Sequence, residues 1–238
     1  MTGGEEKNSR VPRPPLPREW KEPPPGPVLV IAPHADDEVC GAGGALAMHA
    51  MRGDPVFLEI LTAGTTGDPE KRFPDIRALR REEARKAARI LGIREVSFWD
   101  LPDNFEITWG DVEAAAARVE ARAREIGARL LYHPWNGEAH GDHRGAALAC
   151  EKALDSLGGD AAGLGYEVWS PLPADVVLDI TPVLDVKREA LEAYASQLSY
   201  TDYKHHVLGL NAHRGIYLEG RARFGEAFLF TGRKPPGK

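Results

Sequence analysis

Two cysteines in 238 residues, Cys40 and Cys150, cannot build a disulfide framework. No stretch approaches the ~18 consecutive apolar residues of a membrane span. The segment from Met1 to Pro27 has no apolar h-region, so no secretory signal is indicated and the cytoplasm is the expected compartment. Basic charge is also short: 30 Lys and Arg stand against 36 Asp and Glu, a net charge of −6 with no block of one sign. A life of phosphate contacts is disfavoured, and no nucleic-acid partner is expected. The chain holds no GxSxG elbow and no Walker A sequence. Gly41-Ala42-Gly43-Gly44 lacks the GxGxxG spacing and follows acidic residues that would repel a pyrophosphate, so those glycines read as close helix-to-sheet packing.

What the chain does have is enough apolar residues, 42 %, for one large core. Eight of the 19 prolines fall within residues 1–27, where fixed φ and missing N–H donors exclude a helix or central strand. This Pro-rich leader either lacks structure or drapes over the domain with Trp20 as its apolar anchor. A single domain is expected over residues 28–238. Short β-branched or Leu-rich runs at Val28–Ile31, Val56–Leu61, Val96–Phe98, Leu130–Tyr132 and Val176–Ile180 predict buried strands. Helical stretches alternate with them near Ala42–Arg52, Pro74–Leu91, Asp111–Ile126, His143–Leu157 and Pro182–Ala195. In the second, Ile76, Arg80, Glu83, Ala87 and Leu91 share one stripe, and Gly92 stands where a helix stop is needed. The alternation predicts an α/β, Rossmann-like three-layer fold: a mostly parallel central sheet covered by helices on both faces. Gly158–Gly165, rich in Gly and Ala, reads as a loop.

Two short segments concentrate the reactive side chains. Pro33-His34-Ala35-Asp36-Asp37-Glu38 follows the first strand, and His140-Gly141-Asp142-His143 comes after the strand at Leu130–Tyr132 and opens a helix. Both project from the carboxyl edge of the sheet, where open α/β folds bind ligands. Imidazoles and carboxylates gathered there suit a divalent ion such as Zn²⁺, and three protein ligands with one open position make a catalytic site.

These two segments resemble the paired signatures of the LmbE-like, or PIG-L, family of zinc-dependent N-acetylglucosaminyl deacetylases, usually A-H-P-D-D-E and H-P-D-H. Here proline precedes His34 instead of following it, and Gly141 replaces the second motif's proline; neither supplies a ligand atom. Weaker matches, among them Arg80-Arg81-Glu82-Glu83, Lys187, Ser196-Gln197 and Gly225-Glu226-Ala227-Phe228, extend the resemblance from residue 28 to about 230. The resemblance implies one Zn²⁺ per chain on His34, Asp37 and His143, with Asp36 as general base. It implies that His140 stabilises the oxyanion and that Asp142 holds the His140 imidazole in its tautomer. The implied reaction removes the N-acetyl group from an N-acetylglucosamine-type sugar or conjugate, a small-molecule partner; self-association into a homo-oligomer is left open.

Other readings stand beside these. The same centre could hydrolyse another amide or an ester, or the protein could bind sugars and keep the metal without catalysis. Asp142 could simply cap its helix. Arg80 could pair with Glu83 on the stripe or, as the resemblance implies, reach a sugar hydroxyl. Asp103 sits at the same sheet edge and could bind substrate. Glu38 could form a salt bridge or orient a ligand. His133 reads as an ordinary loop residue and His49 as a helix-surface residue. The polar segment Tyr200–Arg214 could cover the site, and both cysteines read as packed thiols.

Overall fold

The computed structural model describes residues 16–103, 109–221 and 223–232. Within them the strands are β1 (Arg18–Trp20), β2 (Val28–Ala32), β3 (Val56–Thr62), β4 (Glu95–Leu101), β5 (Leu130–Pro134), β6 (Ala162–Tyr166), β7 (Val176–Asp179) and β8 (Gly225–Gly232). The helices are α1 (Asp37–Arg52), α2 (Ile76–Leu91), α3 (Trp109–Ile126), α4 (Gly141–Leu157), α5 (Leu184–Glu192), α6 (Ala195–Leu198) and α7 (Tyr203–Arg214). One sheet runs β1-β7-β8-β6-β5-β2-β3-β4, and every pairing is parallel except those of β8 with β6 and β7.

The three layers follow from strand period. Along β2, Val28, Val30 and Ala32 enter one apolar cluster with α1, α2 and α5, while Leu29 and Ile31 enter another with α3 and α4. Successive side chains point to opposite faces, so a strand covered on both sides reads as an unbroken apolar run. The α2 stripe is as expected: Arg80, Glu83, Ala87 and Leu91 are buried, and Gly92 closes the helix at φ 75°. Gly41 of α1 sits so close to the Tyr166 ring that a Cβ would lie 2.1 Å from it, which is the helix-to-sheet contact its glycine allows.

Four expectations need correction. Helix α1 begins at Asp37 and not at Ala42, so Asp37 and Glu38 lie in its first turn, where the helix dipole favours carboxylates, and not in a loop. The Gly158–Gly165 loop gives way at Ala162 to β6, whose Gly163 leaves room for β8 and α4; a Cβ there would meet the Thr231 hydroxyl at 2.1 Å. His49 is buried, not on the helix surface: its Nδ1 faces Asp54 at 2.8 Å and its Nε2 faces the Tyr132 hydroxyl at 3.0 Å. His133 is likewise buried, inside β5, with Nε2 2.7 Å from the Thr231 hydroxyl.

Residues 18–20 of the Pro-rich segment form the edge strand beside β7, and Trp20 packs on Phe230 with ring centroids 5.7 Å apart. Arg52 holds the chain that follows by donating to the Pro23 and Pro24 carbonyls. The segment before residue 16 lies outside the described residues.

Candidate metal centre

At its carboxyl end β2 turns into α1 through Pro33–Asp36, and the turn is held to β3 by Thr62, whose N–H and hydroxyl both donate to the Pro33 carbonyl. Asp36 takes φ 137°, a conformation costly for a residue with a Cβ. The turn then closes on itself. The His34 N–H donates to Asp37 Oδ2 at 2.8 Å, and Glu38 Oε2 accepts the Asp36 N–H at 3.1 Å. From β5, the loop after Pro134 delivers His140, which caps α4: its Nδ1 accepts the Asp142 N–H at 3.2 Å. The capping residue is thus His140 and not Asp142. With Nδ1 accepting, the neutral ring carries its proton on Nε2.

Three donor atoms converge here. His34 Nδ1 lies 3.1 Å from Asp37 Oδ2, His143 Nε2 lies 3.2 Å from the same oxygen, and the two ring nitrogens are 3.3 Å apart. Ligands about 2.0–2.1 Å from a tetrahedral Zn²⁺ are separated by roughly 3.3 Å, so the triangle has the size and the donor chemistry for one divalent ion. His34, His140 and Asp142 form a second close trio, but His140 Nδ1 stands 4.0 Å from the Asp142 carboxylate.

Each histidine of the triangle has a carboxylate at its other nitrogen. His34 Nε2 is 3.1 Å from Asp142 Oδ2, and His143 Nδ1 faces Glu138 Oε2 at 3.4 Å. Metal-binding imidazoles are commonly oriented in this way. Asp142 Oδ2 stands nearer the His34 ring, at 3.1 Å, than the His140 ring, at 4.0 Å. Burial alone would lower both imidazoles, yet Asp142 and Asp37 carry His34 up to about 9, and Asp37 with Glu138 carries His143 up to about 10. Burial opposes ionisation of Asp37, but His143 and His34 hold it well below the usual carboxylate range. Asp36, beside the triangle, is pushed upward by burial against the pull of Arg80. Burial, with His34 and His143 nearby, holds His140 below the ordinary imidazole value.

The remaining expected residues divide. Arg80 does not pair with Glu83. It donates to the Ala35 carbonyl at 2.6 Å and to Asp36 Oδ2 at 3.2 Å, while Glu83 accepts from the N–H and hydroxyl of Ser196. Arg80 thereby reaches the cleft, of about 120 Å³, lined also by His34, Asp36, His140, Gln197, Trp169 and Tyr203. Asp103 does not line it. Both its oxygens are occupied in fastening the turn at Gly64–Thr66, through the Gly64 N–H, the Thr65 hydroxyl and the Thr66 N–H. Glu38 is buried, its Oε1 taken by the Tyr194 hydroxyl. Of the segment Tyr200–Arg214, Tyr203 reaches the cleft. Cys40 and Cys150 are both buried and free. Sequence reasoning missed Glu138, Gln197 as a lining residue, and Trp169, and reached Tyr203 only as part of the segment Tyr200–Arg214. Glu138 lies two residues before His140, and that proximity was its only signal.

An open α/β sheet with a His-Asp-His donor set at its carboxyl edge, and a further carboxylate beside it, defines a metal-dependent enzyme of the hydrolytic type. The family model described as PIG-L, GlcNAc-PI de-N-acetylase, matches residues 29–154. The chain belongs to this family of deacetylases. A probable N-acetyl-alpha-D-glucosaminyl L-malate deacetylase 2 of Bacillus cereus is 29 % identical over 187 residues, covering 71 % of this chain and 83 % of the relative. The diacetylchitobiose deacetylase of Thermococcus kodakarensis is 30 % identical over 189 residues, covering 71 % and 69 %. A 4-oxalmesaconate hydratase of Pseudomonas putida is 28 % identical over 216 residues, covering 79 % and 81 %. Among solved structures, the N,N'-diacetylchitobiose deacetylase of Pyrococcus horikoshii shares the fold with a TM-score of 0.74 at 20 % identity, covering 86 % of this chain and 83 % of that one.

Proposed function

We propose that the protein removes the N-acetyl group from an N-acetylglucosamine-type sugar or sugar conjugate, with one Zn²⁺ held by His34, Asp37 and His143. The observation that carries this reading is the donor triangle, 3.1 to 3.3 Å on a side, with the carboxylate of Asp36, outside the triangle and held by Arg80, in the same cleft. A divalent ion bound there supplies Lewis acidity toward the amide carbonyl and lowers the pKa of water.

The chain's own groups do the rest. Asp36, kept basic enough by burial to take a proton, accepts it from the attacking water, and the Arg80 guanidinium fixes its carboxylate. His140, neutral and protonated on Nε2, donates to the carbonyl oxygen as negative charge develops there, and as the C–N bond breaks the departing amine takes a proton from Asp36 or His140, leaving acetate and the free amino sugar. Asp142 and Glu138 are positioning residues for His34 and His143. Arg80 and Gln197 line the cleft that the sugar hydroxyls would enter, Gln197 through its carbonyl oxygen because its amide N–H groups donate to Gly67 and Ser196, and Asp103 serves recognition indirectly, through the turn it fastens. No helix among the described residues is long and apolar enough to cross a membrane, and we place the reaction in the cytoplasm, which keeps both free thiols reduced.

The hydratase relative favours one alternative: the same base and metal could add water to an activated double bond. Acetate release from a panel of N-acetylglucosamine conjugates, with metal analysis of the purified protein, tests the reading. Asp36→Asn keeps size and hydrogen bonding but cannot take the proton, so it should retain metal and lose about 10² to 10⁴ in rate. No acetate release alongside hydration of an unsaturated diacid would decide for the alternative.

A further inference from the structure

Trp169 is 55 % exposed, yet its backbone N–H donates to a buried carboxylate. Glu138, buried, accepts the successive N–H groups of Val168, Trp169 and Ser170 at 2.7 to 3.3 Å. The Ser170 carbonyl takes the Trp135 indole N–H at 2.8 Å, and its hydroxyl accepts the Ala139 N–H at 3.0 Å. Across the cleft mouth, Tyr203 at the start of α7 meets the Trp169 ring edge-on, with centroids 5.9 Å apart and planes at 81°. An isolated exposed aromatic needs no explanation, but this one lines the same cleft as His34, Asp36 and His140.

The cleft, at about 120 Å³, is small against the ~300–1,000 Å³ of sites that engulf a whole drug-sized ligand. It has room for the reacting acetamido end, so whatever is bonded to the sugar's anomeric carbon must lie across the rim. There it meets a large aromatic surface whose position costs little entropy on binding, because the loop is already fixed. We propose that Trp169, braced by Tyr203, is the platform for a second ring attached to the reacting sugar, so that the enzyme selects ring-bearing conjugates over the free monosaccharide. The shared chemistry is a flat apolar ring face, which either a pyranose or an aromatic aglycone presents. The inference rests on the deacetylase reading above. The Glu138 carboxylate that grips this loop also faces metal-site His143, so platform and metal centre are held in register by one side chain.

The test compares kcat and KM for diacetylchitobiose, phenyl N-acetyl-β-glucosaminide, methyl N-acetyl-β-glucosaminide and free N-acetylglucosamine, in wild type, Trp169→Ala and Trp169→Phe, with metal content measured in each. Trp169→Ala should cut the preference for ring-bearing over methyl substrates about tenfold, through KM, and Trp169→Phe should restore most of it. A loss confined to chitobiose assigns the platform to a pyranose, and one confined to the phenyl glycoside assigns it to an aromatic ring. An unchanged preference in Trp169→Ala overturns the proposal. If wild type holds metal but releases acetate from none of the four, the deacetylase reading fails. Calorimetric binding of the phenyl against the methyl glycoside, in wild type and Trp169→Ala, then still decides the platform.

Discussion

Metal affinity should fall steeply with acid, and the structure sets the size of the effect. Without an ion, His34 and His143 have pKa values carried to about 9 and about 10 by the carboxylates around them, so both are protonated at pH 7. Each must lose the proton on the nitrogen facing the triangle before it can ligate. Asp37 is already ionised and releases none. Binding one ion at pH 7 therefore expels about two protons, and apparent affinity should drop about 100-fold for each unit of pH lowered between 8 and 6. The sign is fixed: protons and metal compete, so affinity rises with pH until the imidazoles titrate. The assay is titration of the metal-stripped protein with Zn²⁺ by calorimetry in buffers of different ionisation enthalpy. The slope of observed enthalpy against buffer enthalpy counts the protons. A count near zero would show that both imidazoles are neutral in the free protein, and that the carboxylate-rich surroundings do not govern the site.

Three other measurements bear on the same framework. Glu138→Gln should keep the fold but weaken metal binding about 10- to 100-fold, the usual worth of a carboxylate behind a ligating histidine, and competition with a chromophoric chelator reads it; undiminished affinity would remove Glu138 from the site. Lys187 and Glu226 form a fully buried pair at 2.7 Å, with Glu226 also accepting the Gly44 and Ala45 N–H groups, so Lys187→Met should cost about 3–5 kcal/mol in urea unfolding, and Lys187→Met with Glu226→Gln should recover part of it. Burial lowers His49 to about 4, so the unfolded chain takes its proton first. The stability His49 contributes is complete above pH 6.5 and lost as pH falls toward 4, about 2 kcal/mol of it by pH 5. His49→Gln should shrink the pH 7 to 5 difference by that amount, and an equal loss in both proteins would refute the assignment.

Apart from Val96–Phe98, which lies in the half-exposed edge strand β4, the strands legible in the sequence were those covered on both faces, because burial on both sides demands an unbroken apolar run. Val28–Ile31 and Val56–Leu61 fall within a residue of β2 and β3 for this reason. β6 and β8 escaped for a physical reason of their own. Gly163 and Gly165 stand in β6 and break its apolar run, while in β8 the run Ala227–Phe230 is only four residues long and follows Glu226, the acceptor of a buried lysine. β1 is three residues long after a run of prolines; its pairing with β7 comes from tertiary contact and not from local propensity.

At the site, residues that supply donor atoms announced themselves because imidazoles and paired carboxylates are conspicuous at strand ends. The residues that orient them did not. Glu138 is one glutamate among many until β6 and the loop after it come close enough to surround it with three N–H groups and an imidazole. Sequence adjacency paired Asp142 with His140, and could not show that the chain turns at the helix start so that its carboxylate also reaches His34, 108 positions away. Asp103 shows the same displacement, holding the turn at residues 64–66 instead of facing the cleft. Asp36 is the converse case: its neighbours Asp37 and Glu38 are bound into the triangle and to Tyr194, and the costly φ of 137° directs its own carboxylate toward Arg80 at the cleft. A conformation that the local sequence disfavours persists because His34, Glu38 and Arg80 together over-determine it, and it lets consecutive carboxylates take different roles.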